Sequence, residues 1–127
     1  MSRAEILVYC MIGWTMQSTA TEAGGSIAEG EKVFQRCSSC HSIAEADPNK
    51  KGPPLRGIMG RPVASVAGYF YSAPMVTLGS TGAVWNEVTL DQFLKYPSEF
   101  VKGTSMTAPP VRRESERVDL IAFLSTL

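Results

Sequence analysis

The feature that most constrains this chain is the run Cys37-Ser38-Ser39-Cys40-His41, in which a histidine directly follows two cysteines spaced three positions apart. It is the only histidine among the 127 residues. Four kinds of site use such a cluster: a structural disulfide, a thioredoxin-like redox pair, a zinc site and a covalently attached haem. Cysteines this close form a strained, reducible bridge rather than a structural one, which leaves three interpretations to compare.

Covalent haem attachment is the interpretation that uses every residue of the cluster. A thioredoxin-like pair needs a βαβ pattern around it, and zinc needs a further cysteine or histidine, usually from a second pair; the sequence offers neither. In a haem c site, Cys37 and Cys40 form thioethers with the two vinyl groups and His41 binds the iron. The motif therefore predicts one covalent haem c with His41 as an axial ligand.

A haem iron that carries electrons needs a sixth ligand, and without a second histidine the soft donor available is methionine. Three methionines follow the haem motif, at positions 59, 75 and 106. Met106 lies in the segment VKGTSMTAPP, an extended stretch from which a thioether can reach across to the iron. The residues alone favour Met106, and each of the three also has the simpler interpretation of a core side chain.

Composition and the N-terminus describe an exported globular domain. Apolar residues make up 44% of the chain, charged residues 19%, and the net charge is zero, which argues against nucleic-acid binding. Residues 6–16 form an apolar run that small and polar residues follow, which is the plan of a secretory signal peptide. We expect a signal over 1–23, with a retained membrane anchor or an N-terminal helix as alternatives, and a periplasmic domain over 24–127.

Hydrophobic spacing predicts helices and no paired strands. Apolar residues at helical spacing follow Ser26 into the cysteine pair, and Thr89 and Ser115 have the composition of N-caps of two later helices. One more turn is expected over 98–101, whereas 47–81 is rich in glycine and proline and is expected to be irregular. A buried haem would organise such a long loop, so the expectation is an all-α fold of three main helices, short helical turns and long loops around one haem.

Five segments in order make residues 26–127 resemble class I cytochrome c, in the branch of mitochondrial cytochrome c and bacterial cytochrome c2. They are GEKVFQRCSSCH, KGPPLRGIMGR, GYFYS, TLDQFLKYPSEFVKGTSM and SERVDLIAFL. A short insertion lies between Tyr71 and Trp85. The resemblance implies the cytochrome c fold and a monomeric electron carrier that is not an enzyme.

The resemblance also implies roles for individual residues. His41 and Met106 would be the axial ligands, and the carbonyl of Pro53 would accept a hydrogen bond from His41 Nδ1. Gly30 and Phe34 would pack against the last helix where the first helix crosses it. Four side chains would hydrogen-bond the haem propionates or their ordered waters: Arg61, Tyr69, Tyr71 and Trp85.

Two residues depart from the mitochondrial pattern. Phe93 stands where a tyrosine hydroxyl usually contacts the methionine sulfur, which leaves Met106 held by packing alone. Ala108 stands where a bulky aromatic often covers the haem edge. Electrostatic steering of partners is expected to be weak and little affected by salt, because basic and acidic residues are mixed near the segment that contains Met106. The basic residues are Lys95, Lys102, Arg112 and Arg113, and the acidic ones are Glu99 and Glu114.

The expected function is the transfer of single electrons between a quinol–cytochrome c reductase and a terminal oxidase or photosynthetic reaction centre. These partners follow from the resemblance alone. One alternative is an open-iron haem protein, a peroxidase or a sensor of gas or peroxide, which weak binding of Met106 would permit. Another is a tethered electron-transfer subunit of a dehydrogenase, which a retained anchor would permit.

Overall fold

A computed structural model describes residues 24–127, so the signal or anchor expected over 1–23 lies outside the described residues. The element order is α1 (Ile27–Phe34), α2 (Ala73–Ser80), α3 (Glu87–Lys95), α4 (Pro97–Phe100) and α5 (Glu114–Leu124). Across 24–127 the only extended pairing is an isolated antiparallel bridge between Pro62 and Val84. The prediction of an all-α fold is confirmed. No helix within the described range is long and apolar enough to cross a bilayer.

Helices α1 and α5 cross at very close range. A side-chain carbon at Gly30 would overlap the backbone carbonyl of Asp119, so the approach requires glycine at this position. One turn along α1, the ring of Phe34 packs on Phe123 with centroids 5.5 Å apart. The backbone N–H of Ser26, the N-cap of α1, also donates to Asp119 Oδ1 at 2.7 Å. The expected crossing of the first and last helices is confirmed, and it joins the two ends of the described chain.

Helices α3 and α5 begin at different residues from those that the sequence pattern predicts. Asn86 is the N-cap of α3: its Oδ1 accepts a hydrogen bond from the Thr89 N–H, and Thr89 Oγ1 accepts one from the Asn86 N–H, both at 2.9 Å. Asparagine is a better N-cap than threonine, which explains why Thr89 lies inside the helix. The N-cap position of α5 is Arg113, and Ser115 lies in the first turn. Both predicted caps are therefore wrong by a few residues.

Helix α2 lies within the stretch 47–81 that the sequence predicted to be irregular, so that prediction is wrong over these eight residues. Its sequence, APMVTLGS, has no charged residue and little amphipathic contrast. Pro74 suits the first turn, where its missing N–H has no intrahelical partner to lose. A side-chain carbon at Gly79 would overlap the carbonyl of Val63. Tertiary packing, rather than hydrophobic spacing, accounts for this helix.

Candidate haem site

The cysteines and the histidine lie on a single turn that continues α1. The backbone N–H groups of Cys40 and His41 both donate to the carbonyl of Cys37, at 3.0 and 2.9 Å. Cys37 and Cys40 are half-buried and not bonded to each other. Burial raises the pKa of the Cys37 thiol, and Arg36 only partly opposes this shift. With no group bound, the protonated thiol is therefore the favoured form of Cys37.

The imidazole of His41 is oriented for binding a metal through Nε2. Its Nδ1 lies 2.7 Å from the carbonyl oxygen of Pro53. Because a carbonyl can only accept, Nδ1 carries the proton and donates it, which leaves the Nε2 lone pair free. Burial lowers the pKa of His41, and the nearby Arg61 lowers it further, against the opposing effect of the Pro53 hydrogen bond. The neutral ring that a metal requires is thus the favoured form.

Gly52 lies against the edge of the same imidazole. Its N–H donates to the Cys40 carbonyl at 2.7 Å, and a side-chain carbon on it would overlap Cε1, Nδ1 and Nε2 of His41. The ring therefore lies in a position that only glycine leaves open. No sequence pattern distinguishes this glycine among eleven, because its role depends on a contact with a residue on another turn.

Arg61 and Trp85, two residues predicted to lie near the propionates, are brought together by the bridge between their loops. The Trp85 N–H donates to the Arg61 carbonyl at 2.9 Å, and the indole is buried. The Arg61 guanidinium donates to the carbonyls of Pro54 and Arg56 at 2.9 and 3.2 Å. Its Nη1 therefore holds the loop that also contains Pro53.

Tyr69 and Tyr71 form the second pair of predicted propionate residues. Their rings meet edge to face with centroids 4.7 Å apart. The Tyr69 hydroxyl donates to the Lys51 carbonyl at 2.8 Å, and the Tyr71 hydroxyl accepts from the Val66 N–H at 3.1 Å. Both hydroxyls are thus fixed by the backbone of the loops around the predicted haem.

The three methionines differ in the segments that hold them. Met75 is buried on α2, Met59 is half-buried in a loop, and Met106 is half-buried in the segment between α4 and α5. The Met106 N–H donates to Thr104 Oγ1 at 3.3 Å. All three contribute to the same core or pack against it. Phe93, the residue that departs from the mitochondrial pattern, lies in that core between Trp85 and Phe100, with ring centroids 5.2 and 6.2 Å away.

Comparison with known proteins identifies the family. The family model described as Cytochrome c matches residues 27–127. The chain belongs to the cytochrome c family. This cytochrome c is 42% identical to cytochrome c-554 of Methylosinus trichosporium over 81% of this chain and 76% of that one. It is 40% identical to cytochrome c2 of Agrobacterium tumefaciens (79% and 90% covered) and 37% identical to cytochrome c of Sesamum indicum (79% and 88%).

Membership of the family establishes the cofactor and the general activity. This cytochrome c carries covalently attached haem c and transfers electrons, and it is not an enzyme. Its partners are redox proteins. The comparison thereby decides among the interpretations of the cysteine motif in favour of haem.

Ser72 provides an independent indication that the residues present fit a haem. Its hydroxyl oxygen is buried and has no hydrogen-bond partner within 24–127. A buried hydroxyl without a partner costs about 1–3 kcal/mol, so a polar group of the cofactor beside it is the natural partner. Haem c carries two carboxylates, and Tyr71 precedes Ser72 directly. The sequence did not single out Ser72, because one serine beside two tyrosines has no distinguishing pattern.

Gly52→Ala is expected to displace the His41 imidazole and so to weaken its predicted binding to the haem iron. The added methyl group would displace the imidazole by overlapping three of its ring atoms, and a displacement of about 1 Å is large for an oriented reactive group. We expect a mixture of low-spin and high-spin ferric haem in the electron paramagnetic resonance spectrum. Lys51→Ala, on the exposed neighbour, is the control and should leave the spectrum low-spin; a fully low-spin Gly52→Ala protein would contradict the expectation.

Proposed function

We propose that this cytochrome c is a one-electron shuttle whose haem is attached through Cys37 and Cys40 and bound axially by His41 and Met106. Haem c, when bound, supplies an iron that alternates between the ferric and ferrous states. The observation that carries the proposal is the hydrogen bond of 2.7 Å from His41 Nδ1 to Pro53. It fixes the orientation of the imidazole and leaves Nε2 unprotonated, so the ring would not need to rotate when the iron changes oxidation state.

The remaining residues of the site hold the cofactor and set its surroundings. In this proposal Pro53 fixes the proximal ring and raises its basicity. Four polar side chains face the propionates or their waters: Arg61, Tyr69, Tyr71 and Trp85. Phe93 cannot donate a hydrogen bond to the sulfur of Met106, so the thioether is retained without that bond. A thioether ligand and an apolar pocket both favour the ferrous state and raise the reduction potential.

The proposed partners are a quinol–cytochrome c reductase as donor and a terminal oxidase or reaction centre as acceptor. The similarity to a bacterial protein named cytochrome c2 supports this assignment. Ala108 is exposed beside Met106, which suits brief docking at an uncovered haem edge through a small interface. The proposed location is the periplasm, with 1–23 as a cleaved signal and the mature protein a monomer. A measured mass equal to that of a chain beginning near Gly24 plus one haem would support cleavage.

An absorption spectrum of the haem-loaded protein, oxidised and then reduced with and without carbon monoxide, tests the proposed ligation. We expect a weak far-red band from methionine bound to ferric iron and no shift of the reduced spectrum with carbon monoxide. A missing band together with ready binding of carbon monoxide would contradict the proposal. The open-iron alternative, a sensor or peroxidase, would then be the better interpretation.

Ser72→Ala tests whether the buried hydroxyl has a partner on the cofactor. If it hydrogen-bonds a propionate, its loss should lower the unfolding free energy of the holo-protein by about 1–3 kcal/mol. Urea unfolding measures the change, and Ser98→Ala, on an exposed serine, is the control. A Ser72→Ala protein as stable as the wild type would mean that the hydroxyl has no partner, because removing an unsatisfied group is neutral or stabilising.

A further inference from the structure

The segment that contains Met106 is fixed at its two ends and almost free between them. We call residues 101–113, between α4 and α5, the ligand loop. Within the described chain, residues 105–110 make one hydrogen bond, the weak contact of the Met106 N–H with Thr104 Oγ1 at 3.3 Å. Pro109 and Pro110 have no N–H to donate. Apart from the packing of Met106 against the core, its position is therefore set by the anchors on either side.

The N-terminal anchor is a turn that rests on α2. The Thr104 N–H donates to the Val101 carbonyl at 3.0 Å. Gly103 adopts a left-handed backbone conformation with φ 85°, which favours glycine. A side-chain carbon at Gly103 would lie 3.1 Å from Pro74 Cγ. This anchor is a steric one, made by a turn and a proline rather than by a charged group.

The C-terminal anchor is built around a buried charge. Arg117, on α5, is only 4% exposed. Its Nη1 donates to the carbonyls of Val111 and Arg112, at 3.1 and 2.7 Å, and its Nε donates to Asp91 Oδ1 on α3 at 2.6 Å. The Val111 N–H also donates to the Leu94 carbonyl at 2.9 Å. One guanidinium thus ties the end of the ligand loop to α3 and α5 at once.

We infer that Arg117 and Asp91 are positioning residues for Met106: they hold the end of the ligand loop so that its thioether stays at the iron. Arg117 binds the loop backbone directly. Asp91 orients the guanidinium of Arg117. It also compensates the buried positive charge, because a buried guanidinium without its carboxylate is strongly unfavourable. The inference rests on the proposed ligation by Met106. The two residues thus restrain the ligand loop, and with it Met106, in the absence of the hydrogen bond that Phe93 cannot donate.

The ability of an added ligand to displace Met106 measures this restraint. We would titrate imidazole into the ferric holo-protein and carbon monoxide into the ferrous one, for Asp91→Asn and Arg117→Lys. We expect imidazole to bind about tenfold more tightly in both variants, with a fainter far-red band. Lysine cannot reproduce the fork, so Arg117→Lys tests the geometry separately from the charge.

Glu116→Gln is the matched control. It removes another ion pair of α5, in which Glu116 lies 3.0 Å from Arg36 in the turn that follows α1, and neither residue belongs to the ligand loop. It should leave imidazole affinity unchanged. If Asp91→Asn and Arg117→Lys bind imidazole no more tightly than Glu116→Gln does, the inference is wrong and the pair serves folding alone. A wild-type protein without the far-red band would overturn the inference together with the ligation; a normal wild-type band with unaltered variants would overturn the inference only.

Discussion

Met106→Ala is expected to open the haem iron to carbon monoxide while the haem stays attached through Cys37 and Cys40. The variant should lose the far-red band in the ferric state and bind carbon monoxide in the ferrous state. Its reduction potential should fall by a substantial part of the about 0.8 V that axial ligands span, because a harder ligand such as water favours ferric iron. Potentiometry and carbon monoxide difference spectra measure the two effects.

Met59→Ala and Met75→Ala are the controls for this assignment, since they remove the other two thioethers of the described chain. Met75→Ala should lower stability, because that side chain is buried and truncation of a buried methionine costs about 2–5 kcal/mol. Both controls should nevertheless keep the far-red band. Loss of the band in either control, with its retention in Met106→Ala, would assign the sixth ligand to that other methionine.

Gly30→Val is expected to prevent α1 and α5 from packing in their native arrangement. The new side chain would occupy the position of the Asp119 carbonyl and press on Phe123 Cβ. Backbone atoms cannot rotate away as a flexible side chain does, so the helices must separate, and Phe34 must lose contact with Phe123. We expect the unfolding free energy to fall by about 3 kcal/mol or more, at or above the upper end for overpacking.

Gly24→Val supplies the matched control for this substitution. A side-chain carbon at Gly24 would have no atom within 4 Å, so its effect should stay within about 0.5 kcal/mol. Urea unfolding of the two holo-proteins, followed by circular dichroism, gives the comparison. Equal stability of both variants would mean that the helix crossing adapts to a larger residue, against the close contact described here.

The part of the site that could be predicted from the sequence is the part that local chemistry determines. Cys37, Cys40 and His41 are adjacent in the chain, and few cofactors use such a cluster. The helix crossing was also predictable, because the resemblance to class I cytochrome c implies that Gly30 and Phe34 pack against the last helix. The ligand role of Met106 stays a prediction, since three methionines are available and only a measurement of the iron distinguishes them.

The features that could not be predicted depend on partners distant in the sequence. Helix α2 has no amphipathic pattern, and its packing against Val63 and Gly103 involves other segments. The capping pattern favours Thr89 as the N-cap of α3, because Gln92 follows it three residues later. The pair that forms the box, Asn86 and Thr89, has no Glu or Gln at that position. Arg117 and Asp91 lie 26 positions apart, and no periodicity connects them. Contacts of this kind arise only when the chain has folded.

The crossing of α1 and α5 also has a consequence for the order of events in biogenesis. The hydrogen bond from Ser26 to Asp119 joins residues 93 positions apart, so the crossing cannot form before synthesis has passed Asp119. A chain that is synthesised from its N-terminus exposes the turn with Cys37 and Cys40 well before α5 has been made. Until α5 has been made, the thiols of Cys37 and Cys40 therefore lie on a chain whose first and last helices cannot yet pack together.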